Sequence, residues 1–325
     1  MSGMGPATRA IRALRPAKTP PDPWTPLGHL WECERGLSGG PRRVLTVFLA
    51  GAECPFTCLF CDLWRATLEG PTPLGALPAQ LEAALDEAAP IEFPAALKLY
   101  NASNFFDPRA VPRRDHGALA DLCGGFRRVT VECHPRLLGA TCSSFARRLE
   151  ARLEVAMGLE TVHPDVFPRL NKGMKIADFD RAAAWARDHG IGTRAFVLVG
   201  LPWVPATQFA MWARCAVEHA STLGIDRVSL IPLRRGNGAL DRLRARGELE
   251  TVKIEHLEAA HEAALEAAAG RMTVEVDLWE AERFASCARC SETRIARLAT
   301  MNRTQATAPA VECECGVTAG GAHGG

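Results

Sequence analysis

Cys54, Cys58 and Cys61 form the group Cys54-Pro-Phe-Thr-Cys58-Leu-Phe-Cys61, directly after the first apolar, strand-like run. Three thiolates on so short a loop can face one point. They satisfy three irons of a 4Fe–4S cluster and leave the fourth iron without a protein ligand. An open metal position is what a catalytic centre keeps and a structural centre closes. A zinc knuckle wants a fourth ligand close by, and the nearest histidines in sequence, His29 and His116, are far off. A second group, Cys287-Ala-Arg-Cys290 with Cys313-Glu-Cys315, supplies four thiols. Those four suffice for a closed zinc site or a second cluster, and a metal-free reading also stands.

The chain that must position these groups has 325 residues, 47% apolar and 23% charged, enough for a sizeable core. Its 38 basic and 37 acidic residues leave a net charge of +1, which excludes a polycationic nucleic-acid coat but not a local basic patch. No secretory signal and no membrane-length apolar run is present, so a reducing, cytoplasmic location without membrane contact is expected. There the twelve cysteines sort into metal ligands and buried small hydrophobes. Cys33, Cys123, Cys133, Cys142 and Cys215 are expected in the core. Residues 1–25 read as a loose basic tail carrying Arg9, Arg12, Arg15 and Lys18; a short transit peptide is the other reading.

Between the cysteine groups, β-rich runs alternate with helical periodicity. Strands are expected at residues 43–50, 95–101, 128–133, 152–158, 194–199, 227–231 and 272–276, with helices at 77–88, 176–189 and 252–269. Strands separated by helices imply βαβ units and a parallel sheet. The fold class is therefore α/β, a partial (β/α)6-type TIM-like barrel over residues 26–278, followed by a small Cys-rich extension over 279–325. Active-site residues of such a barrel belong at the carboxyl ends of its strands.

The CxxxCxxC loop resembles that of the radical S-adenosylmethionine (SAM) superfamily, and Phe60 before the last cysteine matches an aromatic that lies near the adenine there. The resemblance implies that the open iron chelates SAM, which electron transfer cleaves to a 5′-deoxyadenosyl radical. The segment Tyr100-Asn101-Ala102-Ser103-Asn104-Phe105 resembles the subgroup containing the archaeosine synthase radical SAM subunit and the elongator-type enzymes. In the wider superfamily a Gly-Gly-Glu-like turn there holds the methionyl amino group, so Asn101, Ser103 and Asn104 are the corresponding contacts; ordinary turn chemistry is the alternative. Glu132 is by resemblance a SAM-contacting acid. Leu153–Thr161 resembles the subgroup's fourth-strand motif. Glu160 and Lys172 are similar to a pair flanking SAM in oxygen-independent coproporphyrinogen oxidases, unless Lys172 is a surface lysine. Phe196 stands where an acid is often found in the superfamily.

The resemblance implies a radical SAM enzyme acting on a modified tRNA nucleobase and served by an electron donor of the flavodoxin or ferredoxin type. No acetyltransferase-sized segment follows the barrel and no Cys-bearing segment precedes it, which disfavours elongator-type and methylthiotransferase readings. An oxidoreductase acting on a small metabolite is the alternative within the class; a non-catalytic Fe–S or zinc protein binding nucleic acid is the alternative outside it. Arg289, Arg294, Arg297 and Arg303 form a local basic excess that could meet RNA phosphate or be solvated. Arg234 and Arg235 could read phosphate or carboxylate, or lie in a solvated loop. His256 and His261 read as structural; His134 and His163 follow strand ends without an assigned role.

Overall fold

Each apolar run is followed by a helix that carries the chain back to the same end of the sheet, and the strands accordingly lie parallel. The computed structural model describes residues 6–36, 39–91, 95–234 and 236–315. Its strands are β1 (Gly28–Arg35), β2 (Pro41–Phe48), β3 (Ala96–Tyr100), β4 (Arg128–Glu132), β5 (Arg152–Glu160), β6 (Gly192–Val199), β7 (Arg227–Pro232) and β8 (Thr273–Val276). Its helices are α1 (Pro6–Arg12), α2 (Ala76–Glu87), α3 (His116–Leu122), α4 (Ala140–Ala146), α5 (Ile176–Asp188), α6 (Phe209–Thr222), α7 (Ala239–Ala245), α8 (Ile254–Ala268) and α9 (Ser291–Thr304). Strand order follows chain order from β1 to β8; β1 is antiparallel to β2 and every later neighbour is parallel. This is the expected incomplete α/β barrel, with one strand, β1, that the sequence reading lacks.

Alternation along the strands divides the sheet into two faces. Leu45, Val47, Leu97, Leu99, Val129, Val131, Val155, Val197, Leu230 and Val274 share a buried apolar core with Leu77 and Leu81 of α2 and Leu257 of α8. The opposite face carries Thr46, Lys98, Thr130 and Glu154 in lateral register, continued by Arg194, Ser229 and Glu275. These polar side chains form an ionic layer inside the barrel. Glu34 reaches Lys98 at 2.7 Å, Arg128 at 2.6 Å and Arg194 at 2.9 Å; Glu154 meets Arg194 at 3.1 Å and Arg227 at 3.4 Å. Burial alone would raise the Glu34 carboxyl, but Arg194, Lys98 and Arg128 outweigh it and hold the group well below the usual carboxylate range. Glu32 and Glu34 both come from β1. That strand, Gly-His-Leu-Trp-Glu-Cys-Glu-Arg, has no apolar run and is stabilised by its pairing and these ion pairs.

The sheet stays open between β8 and β1, and α9 packs on both. Asn302 exchanges two hydrogen bonds with the backbone of Val276 (2.8 and 2.9 Å), and Gln305 does the same with Val274 (2.7 and 2.8 Å). Two amide side chains one helical turn apart thus satisfy the free edge of β8, which would otherwise offer unpaired N–H and C=O groups.

Residues 6–18 correct the expectation of a loose basic tail. Arg12 and Arg15 donate to Glu53 at 3.2 and 2.7 Å, and Lys18 donates to Thr67 Oγ1 and the Trp64 and Thr67 carbonyls at 2.8–2.9 Å. Ile11 is buried in the core. The basic residues serve the loop that carries Cys54 instead of solvent. Of the five scattered cysteines, Cys123, Cys133 and Cys142 are buried as expected; Cys33 is exposed and Cys215 half-buried.

Candidate functional site

The loop leaving β2 carries Cys54, Cys58 and Cys61, and each neighbouring loop holds it at a different point. Asn104, after β3, donates from Nδ2 to Cys54 Sγ at 3.0 Å and accepts the His134 backbone N–H at 2.6 Å. After β5, Asn171 donates to the Thr57 carbonyl at 2.7 Å, and the Leu170 carbonyl accepts the Leu59 N–H at 2.9 Å. After β7, Asn237 donates to the Cys58 carbonyl at 2.9 Å. A loop of irregular backbone keeps one shape only when its polar groups are satisfied in this way.

Burial pushes all three thiols up, Cys58 to about 12. Such sulfurs are thiolates at neutral pH only with a cation seated on them. Three soft donors on one loop, with Asn104 oriented on the first, fit an iron–sulfur cluster that keeps one position open.

Beside this loop lies a buried ion pair: Lys172 Nζ donates to Glu160 Oε1 at 2.6 Å. A register shift in β5 between Gly158 and Glu160, with Glu160 at φ +65°, turns the carboxylate toward the lysine. The pair lies directly over Gly158, where a Cβ would collide with Glu160 Oε1 and Lys172 Nζ. Lys172 is 5.9 Å from the centre of the Phe60 ring. It is thus a buried residue at the cysteine loop, not a surface lysine.

Asn101 is fully buried, and neither its amide nitrogen nor its amide oxygen finds a partner; the Ser103 hydroxyl on the same turn is also unpaired. Unsatisfied buried polar atoms are costly, and here they supply donors and acceptors of the type a zwitterionic amino-acid moiety needs. Glu132 closes β4; burial pushes its carboxyl up to about 8, with Lys98 opposing. Its carboxyl makes no hydrogen bond to the other candidate side chains among the described residues.

Sequence reasoning missed several supports. His134 stacks on Phe56 with ring centres 3.6 Å apart; its Nε2 faces the Lys172 carbonyl at 3.0 Å, and its Nδ1 accepts the Arg136 N–H at 3.2 Å. Only the neutral Nε2–H tautomer satisfies both contacts, and burial with the Lys172 charge holds the imidazole down to about 3. Gly173, at φ +74°, leaves room for Phe56, whose Cδ1 would be 2.9 Å from an added Cβ. Asn171-Lys172-Gly173 was legible as a motif, but the Phe56–His134 stack has no sequence signature.

The second cysteine group comes together as well: one sulfur from each of Cys287, Cys290, Cys313 and Cys315 lies within 4.8 Å of every other. Arg294 and Arg297 are not an RNA-facing patch. Both are buried; Arg294 ion-pairs with Glu258, and Arg297 meets Glu258 at 3.3 Å and Glu262 at 2.5 Å. Arg289 is exposed and bonded to Glu314 at 3.4 Å. Arg234 is taken by Asp277 at 3.0 Å and the Trp279 carbonyl at 2.7 Å; Arg235 lies outside the described residues. His261 donates from Nε2 to the Val274 carbonyl at 3.2 Å and His163 stacks on Trp212, both structural roles.

Fold and site define the class of architecture: an incomplete α/β barrel with a three-cysteine loop at its carboxyl rim. Among solved structures the chain shares the fold of methylornithine synthase (TM-score 0.54, 14% identity, 78% of this chain and 69% of that one). It also shares the fold of Streptococcus suis SuiB bound to S-adenosylmethionine (TM-score 0.51, 14% identity, 71% of this chain and 50% of that one). Among curated proteins it is 26% identical over 195 residues to archaeosine synthase subunit beta of Methanosarcina acetivorans, covering 56% of this chain and 55% of that protein. It is 21% identical over 150 residues to an uncharacterized protein of Methanocaldococcus jannaschii, covering 45% and 41%. The chain spans about half the length of these curated relatives. No protein-family model matches it. Among the described residues no helix is long and apolar enough to cross a membrane.

Proposed function

We propose that this chain is a radical SAM enzyme that holds a 4Fe–4S cluster on Cys54, Cys58 and Cys61 and acts on a modified nucleobase in tRNA. The observation that carries the SAM reading is the pairing of three half-buried thiols with the unsatisfied amide of Asn101 on the adjacent turn. A cluster bound there supplies the electron that splits the sulfonium of SAM into methionine and a 5′-deoxyadenosyl radical. Asn104 orients Cys54 and, through the His134 backbone, ties the β3 and β4 loops together. Asn101 and Ser103 present the polar atoms for the methionyl moiety, Lys172 the cation for its carboxylate, and Phe60 an aromatic face for the adenine. Glu160 keeps Lys172 charged and aimed. Glu132, poised near neutrality, is a second polar contact inside the barrel. The reading requires a low-potential one-electron donor of the flavodoxin or ferredoxin type.

The RNA half rests on the identity to archaeosine synthase subunit beta. Its test is a comparison of SAM turnover by the reduced, cluster-loaded protein with bulk tRNA and with the same tRNA digested to nucleosides. Intact tRNA is expected to stimulate turnover several-fold. Equal rates with both would remove the RNA reading and point to a small-molecule substrate.

A further inference from the structure

We infer that Cys287, Cys290, Cys313 and Cys315 bind one tetrahedral divalent ion of the zinc class, and that this ion pins α9 across the open seam between β1 and β8. The inference is independent of the reaction proposed above.

The sulfurs already lie at single-ion spacing. They are all within 4.8 Å of one another, and Cys290 and Cys315 are 4.0 Å apart. Bonds of about 2.3 Å around a tetrahedral ion set sulfurs about 3.8 Å apart, so closing the site needs only small shifts. A four-iron cube puts each thiolate on its own corner and spreads the set much farther. Four thiolates also fill the coordination sphere, the mark of a structural site.

The surroundings suit the charge of such a centre. Backbone N–H groups of Arg289 and Cys290, at the start of α9, donate to Cys287. Arg294 donates from Nε to Cys290 Sγ at 3.3 Å, and its other nitrogen ion-pairs with Glu258 of α8. This carboxylate–arginine–thiolate relay orients a ligand from outside the coordination sphere.

The return path gives the ion its task. After α9 the chain runs back beside the helix, held by Arg297 to the Ala308 and Pro309 carbonyls at 2.6–3.2 Å, and delivers Cys313 and Cys315 to the helix start. The far end of the same helix carries Asn302 and Gln305, which cover the edge of β8, and its Arg303 carbonyl accepts from Arg35 of β1 at 2.9 Å. Metal at one end therefore fixes the helix that closes the barrel at the other.

The test is elemental analysis of the anaerobically purified full chain and of a Cys54→Ala/Cys58→Ala/Cys61→Ala variant. The variant is expected to contain no cluster iron and about one zinc per chain. Iron in its place, with the visible absorbance of a cluster, or a folded metal-free protein, would overturn the proposal. Cys313→Ser should lose the zinc and keep the cluster iron. Should that variant not fold, chelator treatment of the wild-type chain supplies the second readout. Zinc release should speed hydrogen exchange in α9 and at Val274 and Val276; unchanged exchange there contradicts the seam-pinning role.

Discussion

The two cysteine groups differ in what surrounds them. Cys54, Cys58 and Cys61 are three donors on a loop braced by Asn104, Asn171 and Asn237, beside a turn whose Asn101 and Ser103 have unsatisfied polar atoms. Cys287, Cys290, Cys313 and Cys315 are four donors drawn within 4.8 Å, their neighbouring arginines already spent on glutamates. The first arrangement leaves hydrogen-bonding capacity for a visitor. The second closes on itself. The same residue type therefore serves two ends, and the fourth ligand and the unpaired polar atoms decide which.

Replacing one thiol in the open group gives the largest expected effect. Cys58→Ala should bring cluster absorbance and 5′-deoxyadenosine formation to background while leaving the metal content of the C-terminal group unchanged. Loss of metal from both groups would break the contrast.

Next comes the ion pair beside the open group. Lys172→Ala leaves Glu160 buried without its partner and should cost about 3–5 kcal/mol of stability by chemical denaturation. Glu160→Gln/Lys172→Met removes both charges and should recover most of that stability without recovering SAM binding. Recovery of binding would show that the pair is scaffolding alone.

A smaller effect is expected from His134. Its folded pKa of about 3 lies below the unfolded value of about 6.5, so its contribution is fully present above about pH 6.5 and is lost as pH falls through that window toward 3. Between pH 7 and pH 5 the chain should lose about 2 kcal/mol through this group. His134→Gln should flatten the pH–stability curve by that amount; an unchanged slope contradicts the buried neutral imidazole.

The smallest concerns the seam. Asn302→Ala strands the N–H and C=O of Val276 and should cost about 1–2 kcal/mol in thermal or denaturant unfolding. No change would mean that α9 does not seal the edge.

The parallel strands were legible because each carries an apolar run of the right length between helical stretches; residues 128–133 and 227–231 fall within a residue of β4 and β7. The cysteine loop was legible because its spacing alone limits the chemistry. β1 was not, since Gly28–Arg35 is held by pairing and by ion pairs with residues as distant as Arg194. The ionic layer left a trace, a polar residue at the same place in successive strands, whose meaning depends on register. Arg294 and Arg297 misled for the complementary reason: a basic run looks solvated until the glutamates of α8 are seen opposite it. The ties from Arg12, Arg15 and Lys18 to the cysteine loop span about forty or more residues of sequence, beyond any local pattern.

The central claim is that the three-cysteine loop is a SAM-cleaving centre. Anaerobic reconstitution with iron and sulfide, followed by dithionite and SAM, tests it by quantifying 5′-deoxyadenosine and methionine. The account predicts both products from the wild-type chain and neither from Cys58→Ala. A wild-type chain that assembles the cluster, binds SAM and forms no 5′-deoxyadenosine would contradict it.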